Sequence, residues 1–269
     1  MELLQFEVQD GVAVIRLRGE GVSAYGTPLE EHRIGPTTIA ALNDALDAAL
    51  ARDDVQAVVV AGEGRFFCNG LDLKWVDAHL GDEANRMQLS AEKLMARILT
   101  FELPTVAAVN GHCTAAGAML ALSFDYRVMN ADRGWFFVPG IDLGLVYSPG
   151  MTALMQAKTP TPMHLPMIGF AQRYGGNDLA ALGVAHRAAN GGPSGVLSEA
   201  LALAQSLRAK GRDAQYRRTL GAIKRRLYNV PARLLCADDV HEQAMGFENK
   251  PKGIDRPQAQ AQTPQSSKL

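Results

Sequence analysis

The chain has 269 residues, and its 27 lysines and arginines nearly balance its 28 aspartates and glutamates. This balance argues against an electrostatic nucleic-acid binder, which needs a strongly basic face. No apolar run reaches the roughly 18 residues of a membrane span, so no transmembrane helix is expected. The three cysteines have no metal-ligand spacing, which predicts reduced thiols and no metal site.

The first part of the chain alternates strands and helices. A strand is predicted at Val12–Leu17, where apolar and polar residues loosely alternate. The next helix is expected to be capped by Thr37 or Thr38 behind Pro36, because aliphatic residues then recur at helical spacing through Leu50. Further strands are predicted at 55–60, 105–109 and 126–129, and further helices at 87–99 and 115–123. Short connections between such elements favour a layered, mostly parallel α/β sheet.

From about residue 151 onward the pattern becomes helical. The clearest helices are predicted at 198–210 and 216–227, while the prolines between 160 and 166 predict loops or short helices. The basic residues between Arg217 and Arg226 are interpreted as a solvated helix face. We divide the chain into a core, a helical region and a flexible tail, at 1–195, 196–250 and 251–269.

The tail is polar and rich in proline and glutamine, which predicts a flexible tether. It closes with Ser267, Lys268 and Leu269, a tripeptide that import receptors read as a peroxisomal address. We therefore expect the protein in the peroxisome, or in a peroxisome-derived organelle such as the glycosome. The import receptor is then one of its partners.

Two short segments place backbone amides at loop-to-helix junctions. One runs from Gly64 to Lys74 and the other from Val109 to Gly117, and each follows a predicted buried strand. A helix that begins near Ala115 points its unpaired N–H groups and its positive dipole end out of the core. Two such N–H groups that converge form an oxyanion hole. Either segment alone is a weak signal, because glycine-containing strand–turn–helix junctions are common.

In this order and spacing, the two segments resemble the signature of the enoyl-CoA hydratase/isomerase (crotonase) family. Residues 69–74 (NGLDLK) are similar to its first motif, and residues 110–117 (NGHCTAAG) to its second. Asp125 and the stretches 139–145 and 178–184 resemble further landmarks of the family. The first segment and the final tripeptide look closest to plant-like peroxisomal Δ3,Δ2-enoyl-CoA isomerases.

The resemblance implies a fold, a ligand and an assembly. The fold is the α/β crotonase (ClpP-like) β-β-α spiral, with a helical C-terminal region that supports trimer formation. The ligand is an acyl-CoA thioester, as substrate or bound partner, with no separate cofactor. The assembly is a homotrimer or a hexamer.

The resemblance also assigns residues to the site. The backbone N–H groups of Leu71 and Ala116 match the oxyanion hole. Lys74 and Arg65 match positions near the CoA phosphates, although an ordinary solvated lysine explains Lys74 equally well. The residues expected to bind substrate are Arg65, Asn69, Gly70, Asp72, Lys74 and Gly117.

The glutamates that the family uses for proton transfer are missing. Its hydratases use two and its isomerases typically one, and these positions hold Met119 and Gly140. No glutamate occurs between Glu102 and Glu199, so a shifted alignment does not restore one. The sequence therefore argues against a standard hydratase with two carboxylates.

Three interpretations of the missing base remain open. Another group carries the proton, and Asp142 and Glu92 are the candidates, although a structural role suits Asp142 and a surface position suits Glu92. Tyr147 and His112 are weaker candidates. Alternatively, the enzyme has low activity that relies on water or on substrate positioning. In the third interpretation the chain is an acyl-CoA-binding homologue that keeps the oxyanion hole as a thioester clamp.

The resemblance implies an isomerase-type enzyme of fatty-acid β-oxidation. It moves the double bond of a 3-enoyl-CoA to the 2 position through an enolate that the oxyanion hole stabilises. The alternative is a catalytically weak or inactive acyl-CoA binder. A carboxylate that faces the thioester favours the enzyme, and an all-apolar pocket floor favours the binder.

Overall fold

The computed structural model describes residues 3–18, 31–238 and 245–247. The predicted tail at 251–269, with its targeting tripeptide, lies outside the described residues. The described chain contains two sheets, one of six strands and one of three. No helix in the described ranges is long and apolar enough to cross a membrane.

Nine strands are described in chain order: β1 (Leu4–Gln9), β2 (Val12–Leu17), β3 (Ala57–Gly62), β4 (Phe66–Cys68), β5 (Thr105–Val109), β6 (His112–Thr114), β7 (Tyr126–Asn130), β8 (Phe136–Phe137) and β9 (Arg187–Ala189). The described helices are α1 (Pro36–Leu50), α2 (Leu73–Ala78), α3 (Asp82–Leu99), α4 (Ala116–Ser123), α5 (Gly140–Leu143), α6 (Pro149–Lys158), α7 (Thr161–His164), α8 (Gly176–Ala181), α9 (Gly192–Leu207), α10 (Ala214–Leu227) and α11 (Asn229–Leu235). A π-helical turn at Leu165–Gly169 and a 3-10 turn at Arg208–Lys210 complete the set.

The chain alternates between the two sheets. The larger sheet has the order β1-β2-β3-β5-β7-β9, and the smaller has the order β4-β6-β8. Among the described strand pairs, only β1 and β2 are antiparallel, and the others are parallel; an isolated antiparallel bridge also joins Phe136 to Tyr174. Strands β3, β5 and β7 of the larger sheet are each followed by one strand of the smaller sheet and then by helix. This repetition is the predicted β-β-α spiral.

Glycines allow the successive turns of the spiral to lie against one another. A Cβ atom on Gly111, in the turn between β5 and β6, would lie 2.1 Å from the carbonyl oxygen of Arg65. Gly134, before β8, has φ +98° and would place its Cβ 2.5 Å from the carbonyl carbon of Gly111. A side chain at either position would separate the turns, so the close stacking of the repeats requires glycine.

Both faces of the larger sheet are covered. Alternate residues of β3, such as Val58 and Val60, pack into the main core with α1, α3 and α4. The residues between them, such as Val59, pack into a second core against α9. Burial on both faces explains why the parallel strands are continuous apolar runs.

The helical C-terminal region docks on the core through two buried cations of α10. Arg217 donates to the carbonyl oxygens of Val55, at 2.6 Å, and Gly211, at 3.0 Å. Lys224 donates to the carbonyl oxygen of Leu103 and to the carboxylate of Asp125. The prediction of a wholly solvated basic face is therefore wrong for Arg217 and Lys224, because backbone carbonyls of the core accept their hydrogen bonds.

Several element boundaries differ from the predictions. Helix α1 begins at Pro36 after Gly35, without a side-chain cap, and Thr38 donates to the carbonyl oxygen of Arg33 instead. Helix α3 begins at Asp82, five residues before its first predicted residue, Met87. The strand predicted at 55–60 is β3, which spans Ala57–Gly62. The predicted division between residues 195 and 196 falls inside α9, whose apolar face covers the larger sheet.

Candidate active site

The two segments predicted to form the site are in contact. Strands β4 and β6 pair in parallel, with Cys68 opposite Cys113. A Cβ atom on Gly117 would lie 2.3 Å from the carbonyl oxygen of Cys68. Gly70 has φ +89°, and its Cβ would lie 2.8 Å from the Cβ of Ala115. Both glycines are therefore required for the segments to approach each other.

This approach brings two free N–H groups to the same region. The Cβ of a residue at position 70 would also lie 3.3 Å from the backbone nitrogen of Ala116, so Gly70 and Leu71 pass directly beside the start of α4. The neighbouring backbone groups are paired, since Asp72 N–H donates to Ile34 and Ile34 N–H donates to Gly70. Among the described residues, the N–H groups of Leu71 and Ala116 have no acceptor. They remain available to an oxygen atom of a ligand.

The residue before the second N–H group is held in a strained backbone conformation. Ala115 has φ 53° and ψ −130°, a region that L residues other than glycine rarely adopt. Such conformations cost of the order of 1–3 kcal/mol and are found mainly at functional sites. Here the conformation turns the chain sharply from β6 into α4.

Polar side chains hold the first segment in place. Thr114 donates to the side-chain oxygen of Asn69 at 2.8 Å, which ties the first segment to the second. Asp72 caps α2 by accepting from the N–H groups of Lys74 and Trp75. The side chains of Lys74 and Arg65 are both exposed.

The space in which a side chain at position 140 would begin is filled by the side chain of Tyr147. Gly140 begins α5, and its N–H donates to the hydroxyl oxygen of Tyr147. A Cβ atom on Gly140 would lie 2.5 Å from both the Cζ and the Oη of that tyrosine. Burial raises the pKa of the Tyr147 phenol well above its ordinary value, so the phenol is neutral.

Glu92 is a fully buried carboxyl group on α3. It accepts from the side chain of Gln88 at 2.7 Å and from the hydroxyl of Ser148 at 2.8 Å. Burial raises its pKa to about 7, and these two hydrogen bonds oppose the rise. The interpretation of Glu92 as a surface residue is therefore wrong, because the start of α6, at Ser148 and Gly150, and helix α11 cover this face of α3.

The other candidates for proton transfer lie in different surroundings. Asp142 is exposed on α5. Met119 is buried in α4, and its side chain has no titratable group. His112 accepts from the N–H of Trp135, and burial lowers its pKa. Within the described ranges, no cluster of three or more metal-ligating side chains occurs.

Comparison with known proteins identifies the family. The model of the enoyl-CoA hydratase/isomerase family matches residues 9–248, which is most of the chain. The chain belongs to the enoyl-CoA hydratase/isomerase family. The recognition made from the two segments is thereby confirmed.

Two plant members of the family illustrate the likeness in sequence. Enoyl-CoA delta isomerase 3 of Arabidopsis thaliana is 32% identical over 204 residues, which cover 74% of this chain and 86% of the relative. The peroxisomal enoyl-CoA delta isomerase 2 of the same plant is 34% identical over 188 residues, covering 67% and 78%. A probable enoyl-CoA hydratase of Rhodobacter capsulatus is 32% identical over 184 residues, so relatives with both activities in their names match.

Solved structures of the family share the fold. An enoyl-CoA isomerase of Mycobacterium tuberculosis superposes with a TM-score of 0.74 at 26% identity, covering 87% of this chain and 94% of that one. An enoyl-CoA hydratase of Mycobacterium ulcerans gives 0.76 at 26% identity, covering 90% and 99%. The predicted α/β crotonase architecture with a helical C-terminal region is confirmed.

Tyr147 was only a weak candidate from the sequence, and the structure places its hydroxyl against Gly140. The feature of the sequence that could have indicated Tyr147 is the glycine at position 140. A glycine where the family carries a glutamate leaves space for a side chain from elsewhere, and the phenol of Tyr147 occupies that space.

Proposed function

We propose that the protein is an enoyl-CoA isomerase of fatty-acid β-oxidation, which moves the double bond of a 3-enoyl-CoA to the 2 position through an enolate. The observation that carries this proposal is the pair of N–H groups at Leu71 and Ala116, which lie on two segments in contact and have no acceptor among the described residues. The names of the Arabidopsis relatives support isomerisation over hydration. The absence of carboxylates at positions 119 and 140 supports the same choice.

The two N–H groups act on the thioester carbonyl. Loss of a proton from C2 places negative charge on the carbonyl oxygen, and both groups then donate to it. Each such donor contributes about 3 kcal/mol to the transition state in well-studied oxyanion holes. Backbone amides do not titrate, so the presence of alanines at 115 and 116 instead of glycines leaves this function in place.

Glu92 is the proton acceptor in this proposal. With a pKa of about 7, part of the Glu92 population is ionised at neutral pH, and the carboxylate is a stronger base than that of an ordinary glutamate. General-base catalysis needs both properties. Asp142, by contrast, is exposed on α5. Glu92 is fully buried in the free protein and hydrogen-bonded to Ser148, so its contact with C2 of the substrate is the part of the proposal that the Glu92→Gln variant tests.

The remaining predicted residues bind or support the substrate. Lys74 and Arg65 are exposed cations on the first segment, suited to the CoA phosphates. Asn69 and Asp72 hold that segment, and Gly70 and Gly117 permit its approach to α4. No separate cofactor has a role in this chemistry.

We also propose a peroxisomal location. Two Arabidopsis relatives carry that location in their names. The residues of the predicted address, Ser267 to Leu269, lie outside the described part of the chain. Fluorescence microscopy of the full chain and of a version without these three residues tests the proposal, and a diffuse signal from both would contradict it.

The function is tested with purified protein and a 3-enoyl-CoA, by following the appearance of the conjugated 2-enoyl thioester. A parallel titration measures binding of a non-reactive acyl-CoA. Turnover that exceeds the rate without protein supports the isomerase, and Glu92→Gln should lower it by roughly 100-fold or more. Binding without any turnover would instead establish the acyl-CoA clamp.

Restoring a glutamate at position 140 needs two substitutions. Gly140→Glu alone brings its Cβ into the phenol of Tyr147, so we expect it to disturb the site. Gly140→Glu combined with Tyr147→Ala removes the conflict with the phenol, and once the backbone at Leu145, whose carbonyl oxygen lies 2.9 Å from the new Cβ, has shifted slightly, it should give an active isomerase. An inactive double variant that still binds acyl-CoA would argue against position 140 facing the substrate.

A further inference from the structure

Gly140 and Tyr147 form a matched pair. The phenol oxygen lies where the side chain of a residue at 140 would begin, and the N–H of Gly140 donates to it. Either a side chain at 140 or the phenol of Tyr147 occupies this volume, but not both. The family position that ordinarily supplies a carboxylate therefore supplies a phenol in this chain.

The hydrogen bond from Gly140 determines what this phenol can do. Because the Tyr147 oxygen accepts from the backbone N–H, its own hydrogen atom remains available for donation to another group. Burial raises the pKa of the phenol, so the hydroxyl keeps its hydrogen atom until a strongly basic carbon takes it, and the N–H of Gly140 stabilises the tyrosinate that results. The phenol of Tyr147 can therefore donate a proton, whereas the ionised carboxylate that it replaces can only accept one.

We propose that Tyr147 is a catalytic residue that delivers the proton to C4 of the acyl chain when the double bond shifts. The inference rests on the isomerase function proposed above. Within it, the acceptor and the donor are separate groups on separate elements, Glu92 on α3 and Tyr147 after α5. A single carboxylate at position 140 would have to serve both carbons in turn.

The proton transfers balance. Glu92 takes a proton from C2, and the electron pair of that C–H bond passes into the dienolate, whose charge lies on the thioester oxygen. The charge then returns from the thioester oxygen to the carbon chain, and a double bond forms between C2 and C3. The electron pair of the former C3–C4 double bond takes the proton of the Tyr147 hydroxyl at C4. The tyrosinate recovers a proton from solvent, and Glu92 releases its own to solvent.

Solvent deuterium separates the two transfers. In D2O, wild-type protein should place one deuterium at C4 of the product. Tyr147→Phe keeps the ring and loses the donor. We expect it to slow the double-bond shift by roughly 100-fold while exchange of the C2 protons in recovered 3-enoyl-CoA continues at the wild-type rate. KM should change little, because the ring that borders position 140 is retained.

Two further variants complete the test. Gly140→Ala should also slow the shift, since its Cβ conflicts with the phenol, and it serves as the second probe if Tyr147→Phe fails to fold. Because this Cβ also lies 2.9 Å from the carbonyl oxygen of Leu145, acyl-CoA binding and C2 exchange are measured on the same variant and should be retained. Tyr216→Phe, at an exposed tyrosine on α10, is the control and should behave as wild type.

Each outcome has one meaning. Continued C2 exchange with a slow shift in Tyr147→Phe supports the donor role. A wild-type shift rate in Tyr147→Phe overturns this inference alone and leaves the isomerase function standing. Absence of both exchange and shift in the wild type overturns the isomerase function, and the inference fails with it.

Discussion

Ala115 illustrates how single residues shape this site. Its positive φ angle and extended ψ angle place it in a region that glycine occupies without cost. The conformation is imposed by the turn from β6 into α4, and the free N–H of Ala116 follows directly. Strain of this kind should be measurable as lost stability.

Ala115→Gly should therefore stabilise the protein by about 1 kcal/mol, because relief of strain outweighs the larger entropy of glycine in the unfolded chain. The measurement is the free energy of unfolding in urea at a constant m-value. Ala118→Gly, inside α4, is the matched control and should destabilise by about 1 kcal/mol. Equal destabilisation by both variants would contradict the assignment of strain.

Glu92 should make stability depend on pH. Its pKa is raised from 4.5 to about 7 in the folded protein, so the folded state keeps a proton that the unfolded state has lost. Stability from this group is full below about pH 4.5 and falls as the pH rises to about 7, by up to about 3 kcal/mol. Glu92→Gln should remove this fall.

Urea unfolding of both proteins at about pH 5 and about pH 8 measures the effect, because other titrating groups cancel in the difference between them. The difference should shift in favour of Glu92→Gln at the higher pH. A constant difference would mean that Glu92 does not titrate in this range.

At the scale of elements, α10 depends on a buried ion pair. Lys224 donates to the carboxylate of Asp125 at 2.6 Å, and the side chains are only 5% and 15% exposed. Asp125 also accepts from the backbone N–H of Thr105, so the pair joins α10 to β5. Loss of one partner leaves a buried charge without compensation.

Lys224→Met should destabilise the protein by about 3 kcal/mol. Arg225→Met, at the neighbouring half-exposed residue that faces Glu102 at 3.6 Å, should cost less than about 1 kcal/mol. Thermal or urea unfolding of both variants provides the comparison. Combining Lys224→Met with Asp125→Asn should recover part of the loss, and strict additivity would show that the pair does not couple.

The elements that could be predicted from the sequence are those whose burial is complete. Strand β5 matches its predicted bounds because every residue from Thr105 to Val109 is buried and apolar or small. The first turn of α3 carries Asp82, Glu83 and Arg86 and follows Gly81 without a side-chain cap, so no periodicity indicates its start. Helix propensity and tertiary packing determine such boundaries.

The site was predictable to the extent that it consists of backbone. The two segments and their glycines follow from motif spacing, because close approach of two chains excludes side chains. The surroundings of Glu92 and Tyr147 were not predictable. The surroundings of Glu92 depend on its hydrogen bond with Ser148, which lies 56 residues further along the chain. Those of Tyr147 depend on its hydrogen bond with Gly140.

At the scale of the whole molecule, one face of the described chain is unusually apolar. Ile141, Val146, Leu165 and Phe170 are each more than 60% exposed, on α5, the loop after it and the turn that packs beside α5. Soluble chains seldom leave such a group of large apolar side chains uncovered. This exposure fits the homotrimer or hexamer that the family resemblance implies.

We therefore expect light scattering on the eluted protein to give three times the chain mass of 28.9 kDa, or six times for a hexamer. Phe170→Asp should shift the mass toward the single chain, because a buried unpaired charge opposes association. Leu80→Asp, at an exposed leucine outside this face, is the control. A monomeric wild type would contradict the prediction.

The central claim is that the N–H groups of Leu71 and Ala116 stabilise an enolate. The most direct measurement is a titration of the protein with a 3-oxoacyl-CoA, whose enolate has its own ultraviolet absorption. The account predicts that the bound thioester ionises at a lower pH than the free one, and that Gly70→Ala abolishes the shift by blocking the approach to Ala116. Tight binding without any enolate absorption would contradict it.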